Sequence, residues 1–253
     1  QFKQQVYTLT KIDLNMYKEK QMKRRIDSLI AKNKIDGYKD YVDAIKKDSK
    51  LFEEFVNYLT INVSEFWRNP DQWKVLEENV IPELMKLSGK NLKIWSAACS
   101  TGDEPYSLVM LLSKFVPLSN IKILATDIDK QVLEKARVGL YNEKSLAGLP
   151  EEFKKKYFTP VGKSNYQISE EIKKCVEFKV GNLLSDKYPS GMDLIVCRNV
   201  VIYFTDEAKT DIYKRFNQAL KTGGYLFVGS TEQIINHRDM GYERKNSFFY
   251  EKK

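Results

Sequence analysis

The chain has one histidine, His237, among 253 residues. A hydrolase triad and a histidine-rich metal site both need imidazole, so the count argues against each, and His237 lies in a late polar stretch where a surface position is the plain reading. Cysteine is almost as scarce. Cys99, Cys175 and Cys197 are odd in number and show no CxxC spacing, which argues against a disulfide framework and a zinc site and leaves packing as their role. No metal is expected. Long apolar runs are also missing, since none approaches the roughly 18 to 20 residues a membrane span needs, and the first residues show no basic, apolar, small-residue leader. The expectation is a cytoplasmic protein with no insertion into a membrane.

What is present suits a folded chain. A hydrophobic fraction of 42% with 12% aromatics is enough for a proper core, which sets disorder aside. The formal charge of +8 points to an acidic partner: nucleic acid, a membrane surface or an acidic protein. Charge alone does not choose among them.

Residues 1 to about 75 read as helical and are expected to form an N-terminal domain, with residues 76–253 forming a second. Met22, Ile26, Leu29 and Ile30 recur at helical spacing, as do Leu51, Phe52, Phe55, Val56 and Leu59. On a helical wheel the stripe of Met22, Ile26 and Leu29 faces away from Lys20, Arg24 and Lys34, with Lys23 at its boundary. Between Lys11 and Lys34 eight Lys or Arg stand against three Asp or Glu. One face is therefore basic, which is either an ordinary solvated face or a docking face.

From about residue 91 short apolar runs alternate with helical ones, the pattern of a parallel sheet covered by helices. Residues 92–97 read as a strand, Ala98 to Gly102 as a small-residue turn, and Glu104 onward as a helix with Pro105 near its start. A second strand at 121–126 ends in Asp127, and a helix is expected from Asp129 through Leu140. Residues 141–174 are polar and Lys-rich with short β-prone pieces, which marks an inserted subdomain. Strands follow at 176–180, 192–197, 225–228 and 248–251, with a helix at 207–220.

The turn between the first strand and its helix lets backbone amides approach a ligand closely. Asp127, about 25 residues on at the end of the second strand, is where such folds place an acceptor for both ribose hydroxyls. The turn holds one glycine where the dinucleotide fingerprint wants three, so a nucleoside without phosphates is favoured. Asp103 and Glu104 would repel phosphate, and one of them, with Glu104 the better candidate, could bind the ammonium of an amino-acid-bearing cofactor. Asp103 reads equally well as a helix-capping acid. Gly181-Asn182-Leu183-Leu184, after the third strand, offers an amide to an adenine edge.

Four blocks carry a resemblance: Ile61-Asn62-Val63-Ser64-Glu65-Phe66-Trp67-Arg68, the run from Ala97 to Ser107, Ala125-Thr126-Asp127-Ile128-Asp129, and Cys197-Arg198-Asn199-Val200-Val201-Ile202-Tyr203-Phe204. In this order, and over almost the whole chain, they resemble the CheR-type chemotaxis receptor methyltransferases. Ser64 and Trp67 stand where such proteins commonly carry Thr and Phe. The resemblance implies a Rossmann-like class I methyltransferase sheet with a small all-helical N-terminal domain and an inserted β-subdomain. It implies S-adenosylmethionine as donor and S-adenosylhomocysteine as product, with Asn62, Ser64, Arg68, Glu104, Asp127, Asn182, Leu183, Arg198 and Asn199 around the donor and Arg68 and Tyr203 beside its methyl group. It implies that Lys20, Lys23 and Arg24 face the helical bundle of a receptor's cytoplasmic part; no nucleic-acid partner is expected, and nothing in the sequence demands more than a monomer. Two rival expectations remain open at this stage: a non-catalytic sensor of the same cofactor, and a methyltransferase acting on another substrate.

Overall fold

A computed structural model describes residues 1–60 and 63–253. Two compact units emerge, residues 1–62 with 201–211, and residues 63–200 with 212–253.

The first unit is helical: α1 (Phe2–Thr10), α2 (Glu19–Lys32), α3 (Gly37–Lys47) and α4 (Ser49–Thr60). Met22, Ile26, Leu29 and Ile30 are buried while Lys20, Lys23 and Arg24 are exposed, as the wheel reading expects, but Lys34 lies beyond the helix at φ 54° and is not on its basic face. The helix stops at Asn33, whose side-chain amide donates to the Leu29 carbonyl at 3.0 Å, a local bond that satisfies an end-of-helix acceptor. Asp48 caps the next turn by accepting from Lys50 N and Leu51 N at 2.9 and 3.2 Å. Tyr41 of α3 meets Phe55 of α4 edge-on at 5.6 Å, and both rings are fully buried. The same unit includes an isolated antiparallel bridge between Tyr17 and Phe204.

The second unit opens with α5 (Pro70–Val75), which runs through a π turn at Leu76–Val80 into α6 (Ile81–Ser88). Then follow β1 (Ile94–Ala97), α7 (Asp103–Leu112), β2 (Ile123–Asp127), α8 (Lys130–Val138), β3 (Leu140–Asn142), α9 (Glu151–Tyr157), β4 (Phe158–Val161), β5 (Asn165–Ile168), α10 (Glu170–Lys173), β6 (Val176–Val180), β7 (Met192–Cys197), α11 (Asp206–Ala219), β8 (Leu220–Val228), β9 (Tyr242–Arg244) and β10 (Phe249–Lys252). Seven strands make one sheet in the order β6-β2-β1-β7-β8-β10-β9. The first five run parallel, while β10 is antiparallel to β8 and β9 to β10. The central strands β1 and β7 are buried at every residue, as parallel strands covered on both faces must be. Chain order reverses between β1 and β7, so a ligand crevice is expected beyond their carboxyl ends.

β1 and β2 each start two residues later than the sequence reading, and two larger boundary differences and one unexpected strand stand out. α8 ends at Val138, because Gly139 adopts φ 70° and its N–H closes the helix onto Lys135 O at 2.9 Å, leaving Leu140 to open β3. β8 starts at Leu220, and its register against β7 shifts between Met192 and Leu194, a bulge that hides the strand's first half behind Gly223 and Gly224. β9 spans three residues, too few to show a period.

The inserted segment folds as a three-stranded antiparallel sheet, β3-β5-β4. Tyr141, Phe153, Phe158 and Ile168 join it to the main core. Phe66 lies edge-on to Tyr141 at 4.7 Å and to Phe158 at 5.4 Å, and its N–H bonds to Ser145 O at 3.0 Å. The insertion thus grips the residues just ahead of Arg68. Among the described residues no helix is long and apolar enough to cross a membrane, and no cluster of His, Cys, Asp and Glu could hold a metal.

Candidate active site

The β1–α7 turn is built for close backbone approach. Ala98, Ser100 and Gly102 take positive φ values of 61°, 49° and 87°. Cys99 N bonds to Thr126 O at 2.9 Å, which ties the turn to β2. Gly102 has no alternative: a Cβ there would sit 2.9 Å from Ala136 Cβ and 3.2 Å from the Phe178 and Tyr106 rings. The Ser100 hydroxyl is buried and has no hydrogen-bond partner among the described residues.

Three carboxylates surround this turn. Asp127, 6% exposed, accepts from Ser100 N through Oδ2 at 2.8 Å and from Asp129 N through Oδ1 at 3.0 Å. Burial pushes its pKa up to about 6, against the pull of those amide bonds. Each oxygen keeps a second lone pair, so the group can still accept from a diol. Asp103 is engaged by the hydroxyls of Thr101, at 2.5 Å, and Ser64. That makes it the turn-fixing acid, and Ser64 acts on the site through it. Glu104 differs: Oε1 accepts from Ser96 Oγ at 2.9 Å, while Oε2 faces Arg198 Nη1 at 3.7 Å, beyond hydrogen-bond length. Burial raises its pKa, opposed chiefly by Arg198.

Beyond β6, Gly181 lies so close to β2 that a Cβ would meet Thr126 Cβ at 3.0 Å. Asn182 N donates to Asp186 Oδ2 at 2.8 Å, and its side-chain oxygen accepts from Leu184 N at 2.9 Å. The loop is thereby folded around Asn182, with Leu183 buried beside it.

Beyond β7, Arg198 is a buried brace. Its Nη2 donates to Arg68 O at 2.7 Å, to Gln72 Oε1 at 2.9 Å and to Asn69 Oδ1 at 3.1 Å, and its guanidinium lies 4.7 Å from the Phe227 ring centre. Burial lowers its pKa, with Glu104 as the main opposing charge. Arg68 O also accepts from the Trp73 indole at 2.9 Å. Trp67 stacks on Trp73 at 4.8 Å and 20° and donates its backbone N–H to Ser107 Oγ. Trp67 and Asn69 both have positive φ, so the tight bend that carries Arg68 is held from both sides. The Arg68 side chain is half-buried and pairs with no carboxylate among the described residues.

Asn199, at φ 61°, is fixed by a residue that the sequence reading missed. Glu232 is 3% exposed and accepts from Asn199 N at 2.7 Å, Val200 N at 2.8 Å and Gly229 N at 2.8 Å. A lone acid just after an apolar strand was the only trace of it. The Asn199 side-chain oxygen is buried without a partner among the described residues.

The structure therefore gathers Ser64, Arg68, Glu104, Asp127, Asn182, Leu183, Arg198 and Asn199 in one unit, about the ends of β1, β2, β6 and β7. Asn62 lies outside the described residues. Tyr203 belongs to the helical unit, in a 3-10 turn whose carbonyl accepts from Lys18 N at 3.0 Å. Lys20, Lys23 and Arg24 belong there too, and Lys23 is already paired with Asp27 at 2.8 Å.

The donor set suits an amino-acid-bearing nucleoside and no phosphate: a carboxylate for a diol, a second for an ammonium, and two unsatisfied polar atoms, Ser100 Oγ and the Asn199 amide oxygen. Residues 62–248 match the model of the CheR methyltransferase SAM-binding domain, and residues 1–60 that of the CheR methyltransferase all-alpha domain. The chain is 45% identical to a chemotaxis protein methyltransferase of Listeria innocua, over 94% of this chain and 91% of that one. It is 36% identical to chemotaxis protein methyltransferase 1 of Pseudomonas aeruginosa, over 90% and 87%, and 32% identical to the chemotaxis protein methyltransferase of Borreliella burgdorferi, over 94% and 88%. Fold, donor set and matched domains agree: the chain belongs to the CheR methyltransferase family and is an enzyme that uses S-adenosylmethionine.

Proposed function

We propose that this enzyme methylates glutamate side-chain carboxylates on the cytoplasmic helical bundles of chemotaxis receptors, forming glutamate methyl esters that serve sensory adaptation. S-adenosylmethionine supplies an activated methyl on a sulfonium and leaves as S-adenosylhomocysteine. The observation that carries this reading is the doubly braced bend at Arg68, which presents a half-buried cation with no carboxylate partner among the described residues. The braces fix the Arg68 backbone, and its guanidinium, which feels the Glu104 charge but forms no ion pair among the described residues, can meet an incoming acid.

The chain's own residues have little chemistry to perform. A glutamate with a reference pKa of about 4.3 is already ionised near neutral pH, so no general base is required, which agrees with the single histidine. Orientation carries the rate, and holding reactants near attack distance contributes roughly 7 to 11 kcal/mol. Arg68 steers and orients the carboxylate. A tight bidentate bond at the attacking oxygen would stabilise the ground state more than the transition state, so Arg68 holds the acid without one. The Tyr203 hydroxyl fixes the direction of approach. Glu104 and Asp127 hold the ammonium and ribose of the donor, with Asn62, Ser64, Asn182, Leu183, Arg198 and Asn199 completing its surroundings. Lys20, Lys23 and Arg24 meet the acidic receptor surface, and the enzyme works as a cytoplasmic monomer with its helical domain facing the receptor.

Arg198-Asn199-Val200 stands where amino-group methyltransferases carry Asn or Asp followed by Pro-Pro-Tyr, which disfavours a nucleic-acid acceptor. The test is mass spectrometry of receptor cytoplasmic fragments, RNA and DNA, each incubated with enzyme and S-adenosylmethionine. A methyl increment on receptor glutamates alone is expected. Methylated nucleic acid, or no methylated product, would overturn the proposal.

A further inference from the structure

The segment between β6 and β7 forms turns and no helix, and residues 181–183 and 186–189 arch beside a half-open pocket of about 290 Å³ that they line together with Trp95, Leu124 and Thr126. Apolar packing anchors this segment at Leu183 and Tyr188, and polar ties set the rest of it. The Leu183 carbonyl accepts from Tyr188 OH at 2.7 Å and from Arg215 Nη1 at 2.7 Å. Arg215 also donates through Nη2 to the Asp186 carbonyl, and its guanidinium stacks on the Tyr188 ring at 4.0 Å. Tyr188 in turn lies edge-on to Trp95 at 4.9 Å and against Phe216 at 5.2 Å. One planar guanidinium on α11 thus spans two carbonyls three residues apart, and an aromatic ring beneath it keeps the plane aligned.

We infer that Tyr188 and Arg215 are positioning residues for the donor's nucleoside: acting through the Leu183 and Asp186 carbonyls, they set the height of the 181–189 arch and so the affinity for S-adenosylmethionine. The inference rests on the reading that Asn182 and Leu183 form the adenine-side wall of the donor site. Neither Tyr188 nor Arg215 touches the reacting atoms, so their effect falls on binding and not on turnover.

The test uses Tyr188→Phe, which keeps the ring and removes only the hydroxyl, and Arg215→Lys, which keeps the charge and removes the fork. Dissociation constants for S-adenosylhomocysteine are measured by calorimetry, with kcat and KM for S-adenosylmethionine on a receptor fragment. Because each donor backs up the other at one carbonyl, each single variant is expected to weaken binding about threefold, and the double variant about tenfold or more. Turnover at saturating donor should stay within about twofold of wild type. Amide exchange across residues 181–189 should rise in the double variant. Wild-type affinity in the double variant, or a loss confined to kcat, overturns the inference. Asn182→Ala and Asp127→Ala separate the two levels: if they weaken binding and the double variant does not, the positioning role fails alone, and if they also bind normally, the donor-site reading has failed with it.

Discussion

The indole N–H of Trp73 donates to the carbonyl of Arg68 at 2.9 Å. Arg198 donates to the same oxygen at 2.7 Å, so two buried side chains define the backbone of the residue proposed to orient the substrate. Trp73→Phe keeps an aromatic ring for the Trp67 stack and removes one donor. It should lower kcat/KM for receptor methylation about tenfold and leave donor affinity within about twofold. Steady-state kinetics with calorimetry checks this, and unchanged kcat/KM would detach the bend from catalysis.

Arg198→Lys is expected to act on the fold as well. The shorter Lys side chain ends short of the Nη2 position that bonds Arg68 O, Asn69 Oδ1 and Gln72 Oε1 and has no second nitrogen for Glu104, and Gln72, which loses its partner, is buried. Denaturant melts should show a loss of about 2 to 4 kcal/mol.

The pH dependence follows from the acids at the turn. Burial raises Asp127 to about 6 and shifts Glu104 and Asp103 the same way. An acid whose folded pKa exceeds its unfolded value binds its proton more tightly when folded, so for Asp127 stability falls as pH rises from about 4 to about 6 and is level above that. Donor binding runs the other way, since a diol and an ammonium need ionised carboxylates. Calorimetry should find full affinity above about pH 6 and a decline below it, and Asp127→Asn should bind weakly with a flatter profile. A flat wild-type profile would contradict the assignment.

Much of the fold was legible because its signals are local. The periodic stripe of α2, the small-residue turn from Ala98 to Gly102 and the apolar runs of β1, β2 and β7 each announce themselves within a few residues. Asp127 and Glu104 were legible for the same reason, since each directly follows a strand or turn. Glu232 and Arg215 were not, because each matters only through carbonyls or amides brought to it by the fold: Glu232 lies 33 residues from the Asn199 amide it holds and Arg215 32 residues from the Leu183 carbonyl. Backbone acceptors carry no sequence identity, so the residues that hold them leave no motif.

Glu232 carries the next expectation. Its carboxylate holds the amides of Asn199, Val200 and Gly229, and a Cβ at residue 229 would meet Glu232 Oε2 at 2.6 Å. Glu232→Gln sets an amide NH₂ against backbone donors and should cost about 1 to 3 kcal/mol of stability, with weakened donor binding. Chemical denaturation and calorimetry on the same preparation read both.

On the helical unit, Lys20 and Arg24 are exposed, whereas Lys23 is paired with Asp27. Lys20→Glu with Arg24→Glu should raise KM for a receptor fragment about tenfold at low salt, an effect that shrinks as salt screens it. Lys23→Ala should matter less, and donor affinity should not change. Equal KM values for the reversed and native proteins would remove this face from receptor binding.

The most direct test of the whole account is transfer of a radiolabelled methyl group from S-adenosylmethionine to receptor cytoplasmic fragments, comparing wild type with Arg68→Ala and scoring base-labile label. Carboxyl methyl esters release their label in base, so the account predicts base-labile label with wild type and its loss in Arg68→Ala while donor binding persists. Base-stable label, or no label from a wild type that binds the donor tightly, would contradict it.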